Sequence, residues 1–306
     1  MISAIFPAYN EEHNVKDLHT HLLAALRTIG EPFEIIAVDN GSTDKTLEQL
    51  RLLSPLRVLS IAANIGQSAG LDAGIHAARG DLIVTLDADL QNDPQDIARM
   101  FEKIKEGYDA VVGWRQVRHD TFGRRFSSRL ANALARFVLG VNVHDYGCAL
   151  KIFKKQFLQG IRLYGEMHIY LAAILALRGA RLVEVPVRHH ERTRDATKHS
   201  FFIGLKNLTD LFTVKFLTRT VRPLLIFGSI GLGSFGVGSL ATLGAVILKL
   251  YALRNFGQTP LPIIASFCIT IGILFIMIGF LAEFILRIFY EGRNETPYII
   301  RSVSEK

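Results

Sequence analysis

Residues Leu86–Pro94 read L-D-A-D-L-Q-N-D-P. Asp87 and Asp89 stand two apart, so in an extended strand their side chains share one face. At a strand end they can share one hard cation, with Gln91 as a further oxygen ligand. Oxygen ligands suit Mg2+ or Mn2+, which bridge to phosphates and neutralise a departing diphosphate. A lone D-x-D is common, and its plainer reading is an acidic turn that caps a helix. Asp93, directly before Pro94, fills that capping role and leaves Asp87 and Asp89 for chemistry.

The elements that must position this motif alternate strand and helix over the first 115 residues. Ile2–Phe6 is a short apolar strand, and Val15, Leu18, Leu22, Leu26 and Ile29 recur at helical spacing. Phe33–Val38 is a second strand, and Thr43–Leu53 a helix with Ser42 or Thr43 as its cap. Strands at Leu56–Ile61, Leu82–Leu86 and Ala110–Val112 alternate with helices at Gln67–Ala78 and from Asp93-Pro94 to Lys105. This order predicts an α/β domain with a mainly parallel sheet and helices on both faces. Tyr9, Glu11, Asp39, Asn64, Asp87, Asp89 and Arg115 then all fall at carboxyl ends of strands, the edge where open α/β sheets bind ligands. Asn64–Gly74 places Gly66, Gly70, Gly74 and Ala78 on one helical face, for close packing on the sheet at Gly74 and Ala78. The helix start near Gly66 is open to a phosphate. The spacing fits neither a Rossmann fingerprint nor a Walker A loop.

Further motifs are P-A-Y-N-E-E (Pro7–Glu12), V-D-N-G-S-T-D (Val38–Asp44), G-W-R (Gly113–Arg115), D-Y-G-C-A-L-K (Asp145–Lys151), L-Y-G-E-M-H (Leu163–His168) and V-R-H-H-E-R (Val187–Arg192). With these and L-D-A-D-L-Q, the chain resembles glycosyltransferase family 2 from about Met1 to Arg301. Within it the chain looks like the polyprenyl-phosphate glycosyltransferases, relatives of dolichol-phosphate mannose synthase with a C-terminal membrane hairpin. The resemblance implies a GT-A-type fold and an inverting transfer of sugar from a nucleotide-sugar to a polyprenyl (undecaprenyl) phosphate. Glucose, N-acetylglucosamine and mannose donors all stay open, with UDP-glucose the leading expectation. The resemblance also implies that Pro7, Tyr9, Glu11 and Asp39 hold base and ribose, and that Asp87 contacts the donor sugar or the metal. Asp89 and Gln91 would bind the metal, and Arg115 and Arg129 would grip the lipid phosphate. Arg192 and Lys198 would lie on a loop closing over donor and acceptor, and Asp145 would steer the acceptor or take a proton. Ile169 stands where relatives carry arginine, and Asp195-Ala196-Thr197 departs from the family's closing loop.

The chemistry agrees with such a site. Both substrates are phosphates, which arginines suit. A lipid monophosphate, with a second pKa near 6 like that of a phosphorylated side chain, is largely dianionic at pH 7. Its oxygen is already a nucleophile, so a strong general base is optional. An in-line displacement through an oxocarbenium-like transition state is expected. Rival readings are a polysaccharide-extending transferase on the same frame and a non-catalytic membrane scaffold derived from a transferase.

Composition supplies the membrane half of this reading. Hydrophobic residues make up 49% of 306 residues and mean hydropathy is +0.26, with the excess at one end. Pro223–Leu248 carries no charge, and as a helix it would span roughly 39 Å, more than a bilayer core of about 30 Å. A polar break precedes a second apolar run, Leu261–Ala282. The expected organisation is a cytosolic catalytic domain (1–200), an amphipathic juxtamembrane helix (201–222), two transmembrane helices (223–290) and a cytosolic tail (291–306). No signal peptide is read at the N-terminus, and basic residues flank the hairpin, which places both termini in the cytosol at the cytoplasmic membrane. The net charge of +7 fits an anionic membrane surface rather than nucleic acid, and homo-oligomerisation stays open. Two interfacial helices are expected. One carries Phe122, Phe126, Leu130, Leu134 and Phe137 or Val138 beside Arg125, Arg129 and Arg136, where ordinary core packing is an equal reading. The other carries Phe201, Leu205, Leu208, Phe212 and Phe216. Cys148 and Cys268 are expected to stay unpaired.

Overall fold

The structure is a computed structural model that describes residues 1–116, 122–190, 211, 214, 223–251 and 254–291, with the backbone alone at 122–127, 286, 287 and 289–291. The chain divides into two compact units, Met1–Arg219 with Tyr298–Lys306, and Thr220–Pro297.

The first unit is built on a seven-stranded sheet in the order β3-β2-β1-β4-β6-β5-β7. Its strands are β1 (Ile2–Ala8), β2 (Phe33–Asp39), β3 (Arg57–Ser60), β4 (Leu82–Thr85), β5 (Ala110–Trp114), β6 (Lys151–Lys154) and β7 (Leu182–Pro186). All pairs are parallel except those of β6, which runs antiparallel to both β4 and β5. Alternation along β1 and β2 divides two cores. Ile5, Ile36 and Val38 face one side with Leu71 and Ile75 of α3 (Gln67–Ala77) and Ile174 of α6 (Leu171–Leu177). Phe6, Ile35 and Ala37 face the other, with Leu18, Leu22 and Leu26 of α1 (Val15–Ile29), Leu50 of α2 (Thr46–Arg51) and Met100 of α4 (Asp96–Lys105). The mainly parallel, two-faced sheet expected from the alternating elements is present.

α2 is shorter than expected, and its first turn is capped by Asp44, whose Oδ1 accepts the Thr46 N–H at 2.9 Å. Ser42 and Thr43 are diverted to Asn10: Ser42 Oγ accepts the Asn10 N–H at 3.1 Å, and the Thr43 N–H donates to Asn10 Oδ1 at 2.8 Å. Competition from the neighbouring loop therefore moves the cap from Ser42 or Thr43 on to Asp44.

α5 (Phe122–Leu139) turns Ala135, Val138 and Leu139 into the core while Leu130, Leu134 and Phe137 stay exposed. Phe122, Arg125 and Phe126 have side chains outside the description, and the stripe from Phe201 to Phe216 lies outside the described residues.

The second unit pairs α7 (Pro223–Leu250) with α8 (Leu261–Glu291) as a helical hairpin. Twenty-eight residues make α7 about 42 Å long, and both helices are long and apolar enough to cross a membrane while burying little of their surface. Small residues allow the close approach. A Cβ on Gly231 would lie 2.6 Å from the Gly272 carbonyl oxygen, and one on Gly238 2.8 Å from Ile269 Cγ1. Phe227 stacks on Phe275 with ring centroids 6.4 Å apart.

Candidate functional site

β1 is flanked by β2 on one side and β4 on the other, so the strand order reverses at β1 and opens a crevice beyond the carboxyl ends of β1 and β4. On one side of it two loops clasp each other. The Glu11 N–H donates to Thr46 Oγ1 at 2.8 Å, the Glu12 N–H to Asp44 Oδ2 at 3.3 Å, and the Lys45 N–H to Glu12 Oε2 at 3.0 Å. Asp39, at the end of β2, is buried and accepts the Ser42 N–H and the Ser60 hydroxyl, each at 3.3 Å. Tyr9 is 42% exposed, which leaves its ring open to a planar ligand. Gly41 is required where this loop passes the next: its φ is +72° and a Cβ would lie 2.7 Å from Asn64 N.

Asp87 and Asp89 do not sit on a strand. β4 ends at Thr85, and the carboxylates lie on the turn beyond it, where Leu90 takes φ 60°. The turn, not strand alternation, brings them near each other. Burial and then the Asp89 charge push the Asp87 carboxyl up to about 6, while Lys151 and Arg115 pull the other way. Asp87 Oδ1 accepts a hydrogen bond from Gln67 Nε2 at the start of α3. The Gln91 N–H donates to Asp89 Oδ1 at 3.2 Å, and the Gln91 carbonyl accepts the His190 N–H at 2.9 Å, which ties this turn to the segment after β7. Asp93 accepts the Gln95 N–H at 2.9 Å, as expected of a cap ahead of α4.

Among the described residues no three His, Cys, Asp or Glu side chains gather as a metal cage. Two carboxylates whose mutual repulsion Lys151 and Arg115 offset only in part, followed by a carboxamide at Gln91, nevertheless fit a cation such as Mg2+, which usually takes few protein ligands and completes its shell with substrate phosphates and water. Asp87, Asp89 and Gln91 are the residues that could hold it.

Across the sheet, Arg115 follows β5. Its Nε and Nη2 donate to Asp145 Oδ2 and Oδ1 at 2.7 and 2.8 Å, and its backbone N–H also reaches Oδ2 at 3.3 Å. Burial opposes the guanidinium charge, but this fork to Asp145 more than compensates and raises its pKa further. Asp145 is buried and directs both oxygens to Arg115, so its observed work is to position that arginine. Arg129, on α5, is exposed. Arg192 and Lys198 lie outside the described residues.

A small cavity below the carboxylates is lined by Pro7, Gln67, Asp87, Lys151, His168 and Leu171, among others. Lys151 and His168 were not singled out as site residues from sequence. Lys151 is 2% exposed and donates to the Cys148 carbonyl. Burial lowers its pKa, and Cys148, Asp87 and Asp145 partly restore it. The signal was a lone cation inside the apolar run L-K-I-F, since a lysine is rarely buried without acidic company.

An open α/β sheet with carboxylates and a fixed arginine gathered along one edge is the frame of a ligand-binding enzyme domain. The family model for glycosyl transferase family 2 matches residues 3–162. Dodecaprenyl-phosphate galacturonate synthase of Rhizobium johnstonii is 36% identical over 99% of this chain and 92% of its own. Undecaprenyl-phosphate 4-deoxy-4-formamido-L-arabinose transferase of Edwardsiella ictaluri is 33% identical over 99% of this chain and 94% of its own. The chain belongs to glycosyl transferase family 2. Solved structures agree on the fold, which is of the GT-A type. Mannosyl-3-phosphoglycerate synthase from Rubrobacter xylanophilus shares it at TM-score 0.55, with 16% identity over 70% of this chain and 72% of that one. Glucosyl-3-phosphoglycerate synthase from Mycobacterium tuberculosis does so at TM-score 0.54, with 18% identity over 70% and 79%.

Proposed function

We propose that this protein transfers a sugar from a nucleotide-sugar to a polyprenyl phosphate at the cytosolic face of a membrane, with inversion and with Mg2+ or Mn2+. The carrying observation is that Asp87 and Asp89 share one sheet edge with the Asp145-held Arg115, in a chain matched end to end by relatives named as polyprenyl-phosphate sugar transferases. Pro7, Tyr9, Glu11 and Asp39 take the nucleoside, and the buried Asp39 suits a ribose hydroxyl. A divalent ion held by Asp87, Asp89 and Gln91 would neutralise the charge that grows on the leaving diphosphate. Arg115 binds the lipid phosphate, aided by Arg129, Arg192 and Lys198. Asp145 keeps the guanidinium charged and oriented; the dianionic lipid phosphate needs no proton removed before it attacks.

The exposed Leu130, Leu134 and Phe137 beside Arg129 support α5 as an interfacial helix, apolar side toward acyl chains and arginine among headgroups. We take 1–200 as the catalytic domain, 201–222 as the juxtamembrane helix, 223–290 as the two spans and 291–306 as the tail, with both termini cytosolic. UDP-glucose is the donor chosen from sequence, and relatives named for galacturonate and formamido-arabinose bring UDP-galacturonate beside it. The test incubates membranes holding the protein with undecaprenyl phosphate, Mg2+ and labelled UDP-glucose, UDP-galacturonate, UDP-N-acetylglucosamine or GDP-mannose. Label should enter the lipid extract from at least one donor; folded protein that labels no lipid from any donor overturns the reading.

A further inference from the structure

Beside the carboxylates, one side chain is held by the protein yet has a polar atom to spare. Ser68 lies in the first turn of α3 and is 1% exposed. His168 lies a hundred residues further on, ahead of α6. Ser68 Oγ is 3.1 Å from the His168 backbone nitrogen and 2.8 Å from its Nδ1. The backbone N–H can only donate, so it uses a lone pair of the hydroxyl. With no other partner for the buried hydroxyl among the described residues, its proton goes to Nδ1, which must then be an acceptor. The imidazole is therefore neutral, with its remaining proton on Nε2. Among the described residues the nearest carboxylate oxygen, on Glu166, is 3.9 Å from that nitrogen, beyond hydrogen-bond reach. Burial, with the Lys151 charge adding to it, holds the ring far below the ordinary histidine range, in agreement with the hydrogen-bond assignment.

The placement matters as much as the tautomer. Ser68 belongs to a helix packed on β1 and β2, the strands that end in the nucleoside loops, while α6 packs near β5 and β7, the Arg115 side. The bond joins these halves where Pro7, Gln67, Asp87, Lys151 and His168 line one cavity. We infer that His168 is a positioning residue for the donor sugar: Ser68 fixes it as a neutral Nε2–H donor, and that N–H takes an oxygen of the sugar ring's substituents beside Asp87. This rests on the transferase reading proposed above. An imidazole fixed in this form does not act as a base near pH 7; it supplies one directed hydrogen bond.

The experiment uses full-length protein in detergent with undecaprenyl phosphate, Mg2+ and whichever of UDP-glucose and UDP-galacturonate wild type turns over. His168→Ala should raise the KM for the UDP-sugar about tenfold, the size of one hydrogen bond. The KM for undecaprenyl phosphate and the inhibition constant of UDP alone should stay within about twofold, because neither carries the sugar. His168→Gln, which keeps an N–H donor, should recover most of the loss, and Ser68→Ala should show a smaller loss of the same kind. The kcat/KM profile from pH 6 to 8 should keep its shape in all variants. Unchanged UDP-sugar KM in a folded His168→Ala variant, or equal losses for UDP and UDP-sugar, overturns the inference and leaves the proposed function standing. Wild type that neither binds nor transfers either UDP-sugar overturns this inference, and only the absence of transfer from all four donors overturns the proposed function as well.

Discussion

Two acidic residues of the same sheet edge have opposite electrostatic situations. Asp145 is buried and completely matched, with both oxygens taken by one guanidinium at 2.7 and 2.8 Å. Among the described residues Asp87 has only Gln67 as a hydrogen-bond donor, and burial and its neighbour Asp89 both work against its charge. A satisfied carboxylate belongs to the architecture, whereas an unsatisfied one is open to a ligand that brings positive charge. The two should therefore fail differently when changed, one in stability and the other in turnover.

The largest expected effect is on turnover. Asp89→Ala should cut sugar transfer by about a thousandfold or more if it removes a ligand of the catalytic cation, with the melting temperature of metal-free protein unchanged or slightly raised. Radiolabel transfer to lipid with a thermal melt on the same sample checks both. Wild-type-like rates would remove the metal role from this turn. Next comes Asp145→Ala, which leaves Arg115 buried without its partner and should destabilise the first unit by about 3–5 kcal/mol. Asp87→Asn should instead keep the fold while transfer is lost. If Asp145→Ala melts like wild type and Asp87→Asn does not, the contrast between the two carboxylates is reversed.

Much of this edge is legible in the sequence because it obeys period and punctuation. Ile2–Ala8 and Phe33–Asp39 announce themselves as strands, and the polar residues directly after them must fall at one end of a parallel sheet. What was not legible depends on partners distant in the chain. Nothing local says that Ser42 and Thr43 bind Asn10 and leave the cap of α2 to Asp44, or that Ser68 meets His168. β6 enters antiparallel between β4 and β5, and its four residues carry no signal of direction. The glycine face was legible in kind: a Cβ at Gly74 would collide with the Ile5 side chain, and one at Gly70 would lie 3.0 Å from Pro7 Cβ. Gly74→Ala should accordingly cost about 1–3 kcal/mol by overpacking, read as a lowered melting temperature. Because it acts on Ile5 and Val38 within β1 and β2 rather than at the carboxylates, the surviving folded fraction should keep its kcat.

The smallest effect separates the groups by sign. In EDTA, Asp87 has its pKa raised to about 6 from an ordinary 3.8, so the folded state holds a proton that the unfolded chain releases. Its contribution is complete below pH 3.8 and is lost as pH rises through 6. His168, lowered to about 3 from 6.5, does the reverse: its contribution is present above pH 6.5 and is lost as pH falls toward 3. At pH 5 linkage makes the histidine cost about 2 kcal/mol and gives the aspartate a gain of about 1 kcal/mol, the latter lessened by its partial exposure. The aspartate offsets at most half of the histidine's cost, so wild type should lose about 1 kcal/mol between pH 7 and pH 5 on their account, read as a modestly lowered melting temperature. Removing either member exposes the other. Asp87→Asn should steepen the acid loss, and His168→Gln should turn it into a small gain, each measured against wild type across the same pH series. Parallel curves for all three proteins would mean that neither group sits in the environment described for it, and the distinction between a satisfied and an unsatisfied carboxylate would then rest on Arg115 and Asp145 alone.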